Sequence, residues 1–219
     1  MLRPALAAPT LAALALLGTS AALWAAGSPP GSPDPARVTA GTYAGTYKAD
    51  PLHTLVGWKV NHLGFNDYFG MFGSVSGSLV LDPANLSAAR VAVRVPVRKV
   101  ITASEGITGA LLRDPKGGGK PDYFGGSPGD ALFVSTKVSP DGDGRTAVID
   151  GNLSLNGVTR PVTIVASFAG AGKNPLTGKQ TIGFHGAAMI KRSEWGINGD
   201  IPLVGDEVYL TITAAFEKQ

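Results

Sequence analysis

From about residue 45 to its end the chain alternates apolar and polar residues with period two, as strands do when one face is buried and the other wet. Val91, Val93, Val95 and Val97 alternate with Ala92, Arg94 and Pro96, and Val208, Leu210, Ile212 and Phe216 alternate with Tyr209, Thr211 and Thr213. The pattern recurs at Thr54, Val56, Trp58 and Val60, at Val75, Gly77, Leu79 and Leu81, at Ile149, Gly151, Leu153 and Leu155, and at Val162, Ile164, Ala166 and Phe168. Turn residues separate these runs: Asp82-Pro83, Asp141-Gly142-Asp143-Gly144, Asn156-Gly157, and Asn174-Pro175 through Gly178. Asn156-Gly157 is the strongest, because both central residues of a type I′ turn need positive φ, and it predicts a hairpin joining Leu153/Leu155 to Val162/Ile164. Only residues 102–112 have helical spacing, with Ser104 as N-cap and Ile107, Leu111 and Leu112 on one side, ending at Asp114-Pro115. Residues 116–129 then read as a glycine-rich loop around Tyr123-Phe124. About eight to nine strands and one or two short helices predict an all-β domain, a barrel or a sandwich.

Composition narrows the function. The 219 residues are 44% hydrophobic and 16% charged, enough apolar material for a real core. The formal charge is +3, and without the first 27 residues, which contain only Arg3 of the charged types, 18 basic residues face 16 acidic ones. That balance offers no basic surplus for nucleic acid. The absence of cysteine excludes disulfides, thiolate nucleophiles, cysteine zinc sites and a lipid-modified cysteine.

The beginning of the chain reads as an address. Arg3 supplies a positive start, residues 4–33 carry no charge, and Leu11 to Leu17 is unbroken apolar sequence, which predicts a secretory signal peptide over 1–27. Ala25-Ala26-Gly27 is the best small-residue cleavage pattern, and Ala21 or Ala22 also allow a cut. The competing reading is an uncleaved anchor, for which Pro4, Pro9 and the small residues make a poor span. Residues 28–44, rich in proline and small residues, read as a flexible leader, and 45–219 as one domain outside the cytoplasm, periplasmic or secreted.

Candidate chemistry is sparse. His53 and His62 are nine residues apart, so on one straight strand they face opposite sides, and a shared metal would need a bend or bulge. His185 is the third histidine. Gly73-Ser74-Val75-Ser76-Gly77 has its serines misplaced for a nucleophile elbow. Gly172-Lys173 and Gly178-Lys179 lack the rest of a phosphate loop. Asp141-Gly142-Asp143-Gly144 lacks the third acid and closing glutamate of a calcium loop. Two glycosylation sequons, at Asn85 and Asn152, are short enough to arise by chance. No catalytic residue and no metal ligand is therefore assigned. An eight-stranded barrel is just wide enough to hold one slender ligand or to be filled by its own side chains, and the strand pattern leaves both open.

Specific residues resemble the YceI family of bacterial envelope proteins, the polyisoprenoid-binding, lipocalin-like group. Tyr47-Lys48-Ala49-Asp50-Pro51-Leu52-His53-Thr54 with Val56, Trp58, Val60 and His62 is similar to the family's opening. Gly70-Met71-Phe72 with Gly77, Ile101-Thr102, and Asp122-Tyr123-Phe124 with Phe133 and Ser135 resemble later elements. The most specific stretch runs from Gly151 to Val162, followed by Lys191-Arg192-Ser193-Glu194-Trp195-Gly196 and Gly205-Asp206-Glu207-Val208. Thr54 stands for the usual serine and Trp58 for the usual phenylalanine, and the loop at residues 116–121 looks expanded.

The resemblance implies an extended, lipocalin-like, eight-stranded antiparallel β-barrel with a short helical segment near one end. Its bore would hold a polyisoprenoid or an isoprenoid quinone-like lipid without covalent chemistry, and the family suggests a stress-related envelope role. Strand parity nominates Val56, Trp58, Val60, Phe72, Leu79, Val93, Phe133, Leu153, Leu155, Ile164, Phe168, Phe184 and Ile212 as inward, ligand-binding positions. His53, Tyr123 and Arg192 are the head-group candidates. The expected partner is an apolar lipid, with room left for transient membrane contact and for a homodimer; nucleic acid is not expected, nor any cofactor beyond the bound lipid. Two other readings stand beside this one: an enzyme acting on an isoprenoid or quinone with His53 or His62 as acid or base, and an interaction module whose barrel is packed solid.

Overall fold

The computed structural model describes residues 42–219. The expected signal peptide (1–27), and the expected leader (28–44) up to residue 41, lie outside the described residues.

Eleven strands follow in order: β1 (Gly45–Ala49), β2 (Leu55–His62), β3 (Asn66–Phe72), β4 (Ser76–Leu81), β5 (Arg90–Val95), β6 (Ile101–Thr102), β7 (Ala131–Pro140), β8 (Thr146–Leu155), β9 (Val158–Lys173), β10 (Gln180–Lys191) and β11 (Val204–Lys218). The single α-helix among the described residues, α1 (Glu105–Leu111), is capped by Ser104, whose Oγ accepts from Ile107 N at 3.4 Å. Strands β1, β4, β5, β7, β8, β9, β10 and β11 pair antiparallel in that order, and β11 returns to β1. The result is the expected closed eight-stranded barrel.

Two breaks bend this ring. β11 pairs with β2 over Val204 to Thr213 and with β1 over Phe216 to Lys218, so β1 and β2 share one long partner. In the gap the Thr54 side chain stands in for the missing ladder: its Oγ1 accepts from Ala215 N and donates to Ala215 O, both at 3.1 Å. The second break lies between β3 and β4. There Gly77 has φ +139°, and a Cβ on it would stand 2.2 Å from Ala92 O, so only glycine lets β4 approach β5 this closely.

Alternation is regular where the sequence predicts it. In β5 the exposed residues Arg90, Ala92 and Arg94 alternate with the inward Val91, Val93 and Val95. Val97, expected to continue this strand, instead begins a 3₁₀ turn (Val97–Lys99) and is buried, because Pro96 has no N–H to extend the ladder. Asn156 (φ +52°) and Gly157 (φ +77°) form the predicted turn of the β8–β9 hairpin. His53 and His62 do not share a strand: β2 starts at Leu55, leaving His53 in the preceding turn.

The interior divides into two clusters. One gathers Tyr47, Leu79, Leu81, Val138, Ile182 and Phe216 near the turn between β7 and β8. The other gathers Phe133, Val162, Trp195 and Ile197 near the opposite end, where β8 meets β9.

Candidate functional site

The bore holds a cavity of about 440 Å³, within the range of ligand pockets, walled in part by residues of both clusters. Its lining comes from seven of the eight barrel strands and from β2, and is mainly Val, Leu, Ile, Ala and Phe. Phe168, Phe184 and Phe216 form an edge-to-face series along one wall, with ring centroids 6.1 and 6.3 Å apart. Gly186 leaves room between Ile164 and Ile212. At the outer end, where β7 turns into β8, the lining becomes exposed and polar: Pro83, Arg90, Asp143, Arg145 and Thr146. At the inner end it stops against Phe133, Leu153 and Val162, behind which Trp195 and Ile197 pack.

Of the thirteen inward candidates, Val56, Leu79, Val93, Phe133, Leu153, Ile164, Phe168, Phe184 and Ile212 line this cavity. Trp58, Val60, Phe72 and Leu155 do not. Trp58 and Val60 continue the face of Val56, opposite Leu210 and Val208, beyond the inner end. Phe72 packs edge-on against Phe124 at 5.9 Å, and Leu155 packs on the Trp195 cluster. Trp58 covers Gly70 and borders a separate hollow with Phe69, Met71 and Ile101. Alternation identifies a face; it carries no information on how deep along the bore open space extends.

The cavity also uses positions that parity did not nominate. Val138 faces inward with Phe133, although the two are an odd number of residues apart, because the register shifts between Ser135 and Lys137. Leu81, Val91, Val95, Ile149, Ala166 and Phe216 were visible in the alternating runs, whereas Leu86 comes from a 3₁₀ turn that no periodicity marks.

None of the three head-group candidates lines the cavity. His53 is two-thirds exposed in its turn, with Nδ1 2.5 Å from Asp50 Oδ2. Arg192 is 5% exposed, and its guanidinium donates to Gly205 O (2.8 Å), Val204 O (2.9 Å) and Ile197 O (3.0 Å), so it holds the chain between β10 and β11 in place. Tyr123 Oη donates to Asp200 Oδ2 at 2.8 Å, and the Arg192 guanidinium carbon lies 5.7 Å from the Tyr123 ring centroid. Burial, followed by that hydrogen bond, pushes the Tyr123 phenol up to about 12. The polar residues in the lining are Thr42, Thr54 and His185 and, at the outer end, Arg90, Asp143, Arg145 and Thr146.

The YceI-like domain family matches residues 47–216. The chain belongs to the YceI-like family. A UPF0312 protein of Pseudomonas paraeruginosa is 35% identical to this YceI-like chain over 207 residues, covering 93% of this chain and 95% of that protein. A UPF0312 protein of Vibrio vulnificus is 34% identical over 159 residues, covering 72% and 77%. Among solved structures, Burkholderia cenocepacia BcnA matches with TM-score 0.61 and 24% identity, covering 74% of this chain and 95% of that one. A polyisoprenoid binding domain from Saccharophagus degradans, implicated in plant cell wall breakdown, matches with TM-score 0.55 and 13% identity, covering 79% and 98%. These two likenesses speak to the fold of the YceI-like barrel.

Proposed function

We propose that this YceI-like barrel binds one slender apolar amphiphile, a polyisoprenoid or an isoprenoid quinone-like lipid, and sequesters or transports it in the bacterial cell envelope without covalent chemistry. The observation that carries the reading is the cavity: a long apolar bore, stopped at its inner end and exposed at its outer end. Burying an apolar chain there contributes about 25 cal/mol per Å² of surface removed from water, so affinity needs no reactive group. Family membership and a structural neighbour described as polyisoprenoid-binding support the same class of ligand. The uncharged start of the chain behind Arg3 supports export and cleavage near residue 27.

The packed-barrel module fits poorly with a cavity of this size. The enzyme reading with His53 or His62 draws no support from the cavity, because both are exposed and stand outside its lining. Titration of the mature protein with a short-tailed ubiquinone analogue, read by quenching of tryptophan emission, tests the proposal. Saturable one-to-one binding with a Kd of about 1 μM or tighter is expected; linear, unsaturable quenching would contradict it.

A further inference from the structure

The inner stop of the cavity has two parts of unlike construction. One is built into the barrel's own chain: Trp195, 1% exposed, donates from Nε1 to Leu153 O at 3.1 Å, and its carbonyl accepts from Asn156 Nδ2 at 2.9 Å. Ser193 bonds Asp206 twice, and Arg192 ties the same segment to three carbonyls. The other part is supplied by the connection between α1 and β7, which belongs to no strand. It lays Tyr123 and Phe124 against the cluster of Phe133, Val162, Trp195 and Ile197, and Phe133 and Val162 are themselves cavity wall.

This second part is held by a few separable ties. Phe124 meets Phe72 edge-on, Phe124 N donates to Leu111 O at 3.0 Å, Gly199 N donates to Asp122 O at 2.8 Å, and Tyr123 Oη donates to Asp200. Gly199 has no room for a Cβ, which would stand 2.7 Å from the Tyr123 ring, so the two segments seat against each other closely. Upstream, Gly117, Gly118 and Gly119 all have φ between +84° and +105° and nothing within 4 Å of a Cβ, so this stretch of the arm packs against nothing. One half of the stop is thus tied into the barrel's own strands, and the other is an arm of connecting chain seated by a latch.

We propose that the arm over residues 112–130 is the length stop of the bore: Phe124, seated by the Tyr123–Asp200 latch, sets the longest apolar chain the barrel accepts. The inference rests on the lipid-binding reading and adds a specificity determinant to it. Removing the Phe124 ring takes away the packing behind the wall of Phe133 and Val162, so Phe133 can yield into the space the ring leaves and a chain that now ends at Phe133 runs further, while a chain short enough to end before Phe133 gains nothing.

The test compares farnesol and solanesol, a short and a long prenol, for binding to the parent protein, Phe124→Ala and Tyr123→Phe, with thermal unfolding and circular dichroism confirming each fold. Phe124→Ala is expected to improve the solanesol-to-farnesol affinity ratio roughly tenfold or more through the extra chain buried. Tyr123→Phe keeps the ring and removes only the latch, and is expected to move the ratio the same way by a smaller factor; it carries the test alone if Phe124→Ala does not fold. A ratio unchanged in folded variants, with both prenols still bound, overturns the length stop and leaves the lipid reading standing. Binding of neither prenol to any of the proteins overturns both.

Discussion

The ring of Phe133 lies over Gly151 of the neighbouring strand, so close that a Cβ on Gly151 would stand 2.4 Å from Phe133 Cζ and 2.7 Å from Val134 O. The missing side chain lets the phenyl ring lie along the wall and form the inner face of the cavity. Gly151→Ala is therefore expected to destabilise the barrel by about 1–3 kcal/mol, since both a core ring and a backbone carbonyl must move. Urea unfolding measures this, and an unchanged midpoint would mean that the ring yields freely.

Gly186 presents the opposite case. The nearest atoms a Cβ there would meet are Ile164 Cγ2 and Ile212 Cβ at 3.3 Å, tight contacts with two residues that both border the open cavity. Gly186→Phe should then fill the bore, lowering lipid affinity roughly tenfold or more while the thermal midpoint moves by only a few degrees. Parallel titration and melting curves decide it; full lipid affinity in the folded variant would place the ligand elsewhere.

How much of this was legible in the sequence depends on what each residue's position encodes. The alternation in β5, β8 and β11 and the Asn156-Gly157 turn are local signals, and they predicted strands, hairpin and faces. Trp58, Val60, Phe72 and Leu155 lie outside the cavity, and parity could not show this, because the stop beyond Phe133 is assembled by Trp195 and Phe124, brought in from loops distant in sequence. Val138 was missed through a bulge that shifts the register without a sequence mark. Arg192 is a head-group candidate in sequence, and in the fold three backbone carbonyls occupy its guanidinium, partners that no local pattern marks.

The latch predicts a pH dependence with a definite sign. Tyr123 keeps its proton in the folded protein up to about 12, against an ordinary value of 10.0, because burial and the bond to Asp200 both oppose ionisation. Between these values the unfolded chain binds fewer protons at this group than the folded one, so its stabilising contribution is complete below about pH 10 and is lost as pH rises towards 12. Tyr123→Phe should flatten that part of the stability profile. Chemical denaturation of both proteins from pH 8 to 11.5 tests it, and parallel profiles would show that the phenol does not contribute.

Trp58 holds the one buried side-chain nitrogen or oxygen among the described residues without a hydrogen-bond partner, its Nε1. An unpaired buried donor costs about 1–3 kcal/mol, comparable to the packing the larger ring supplies over Gly70. Trp58→Phe is thus expected to change stability by no more than about 1 kcal/mol in guanidinium unfolding. A loss of several kcal/mol would reveal a partner for the indole N–H.

The central claim is that the bore holds a lipid, and native mass spectrometry of the protein purified from its own cells, before and after solvent extraction, tests it most directly. The account predicts a single stoichiometric apolar adduct that extraction removes and that lipid mass analysis assigns to an isoprenoid chain. A protein that is adduct-free as isolated and takes up neither added prenol nor quinone would contradict it.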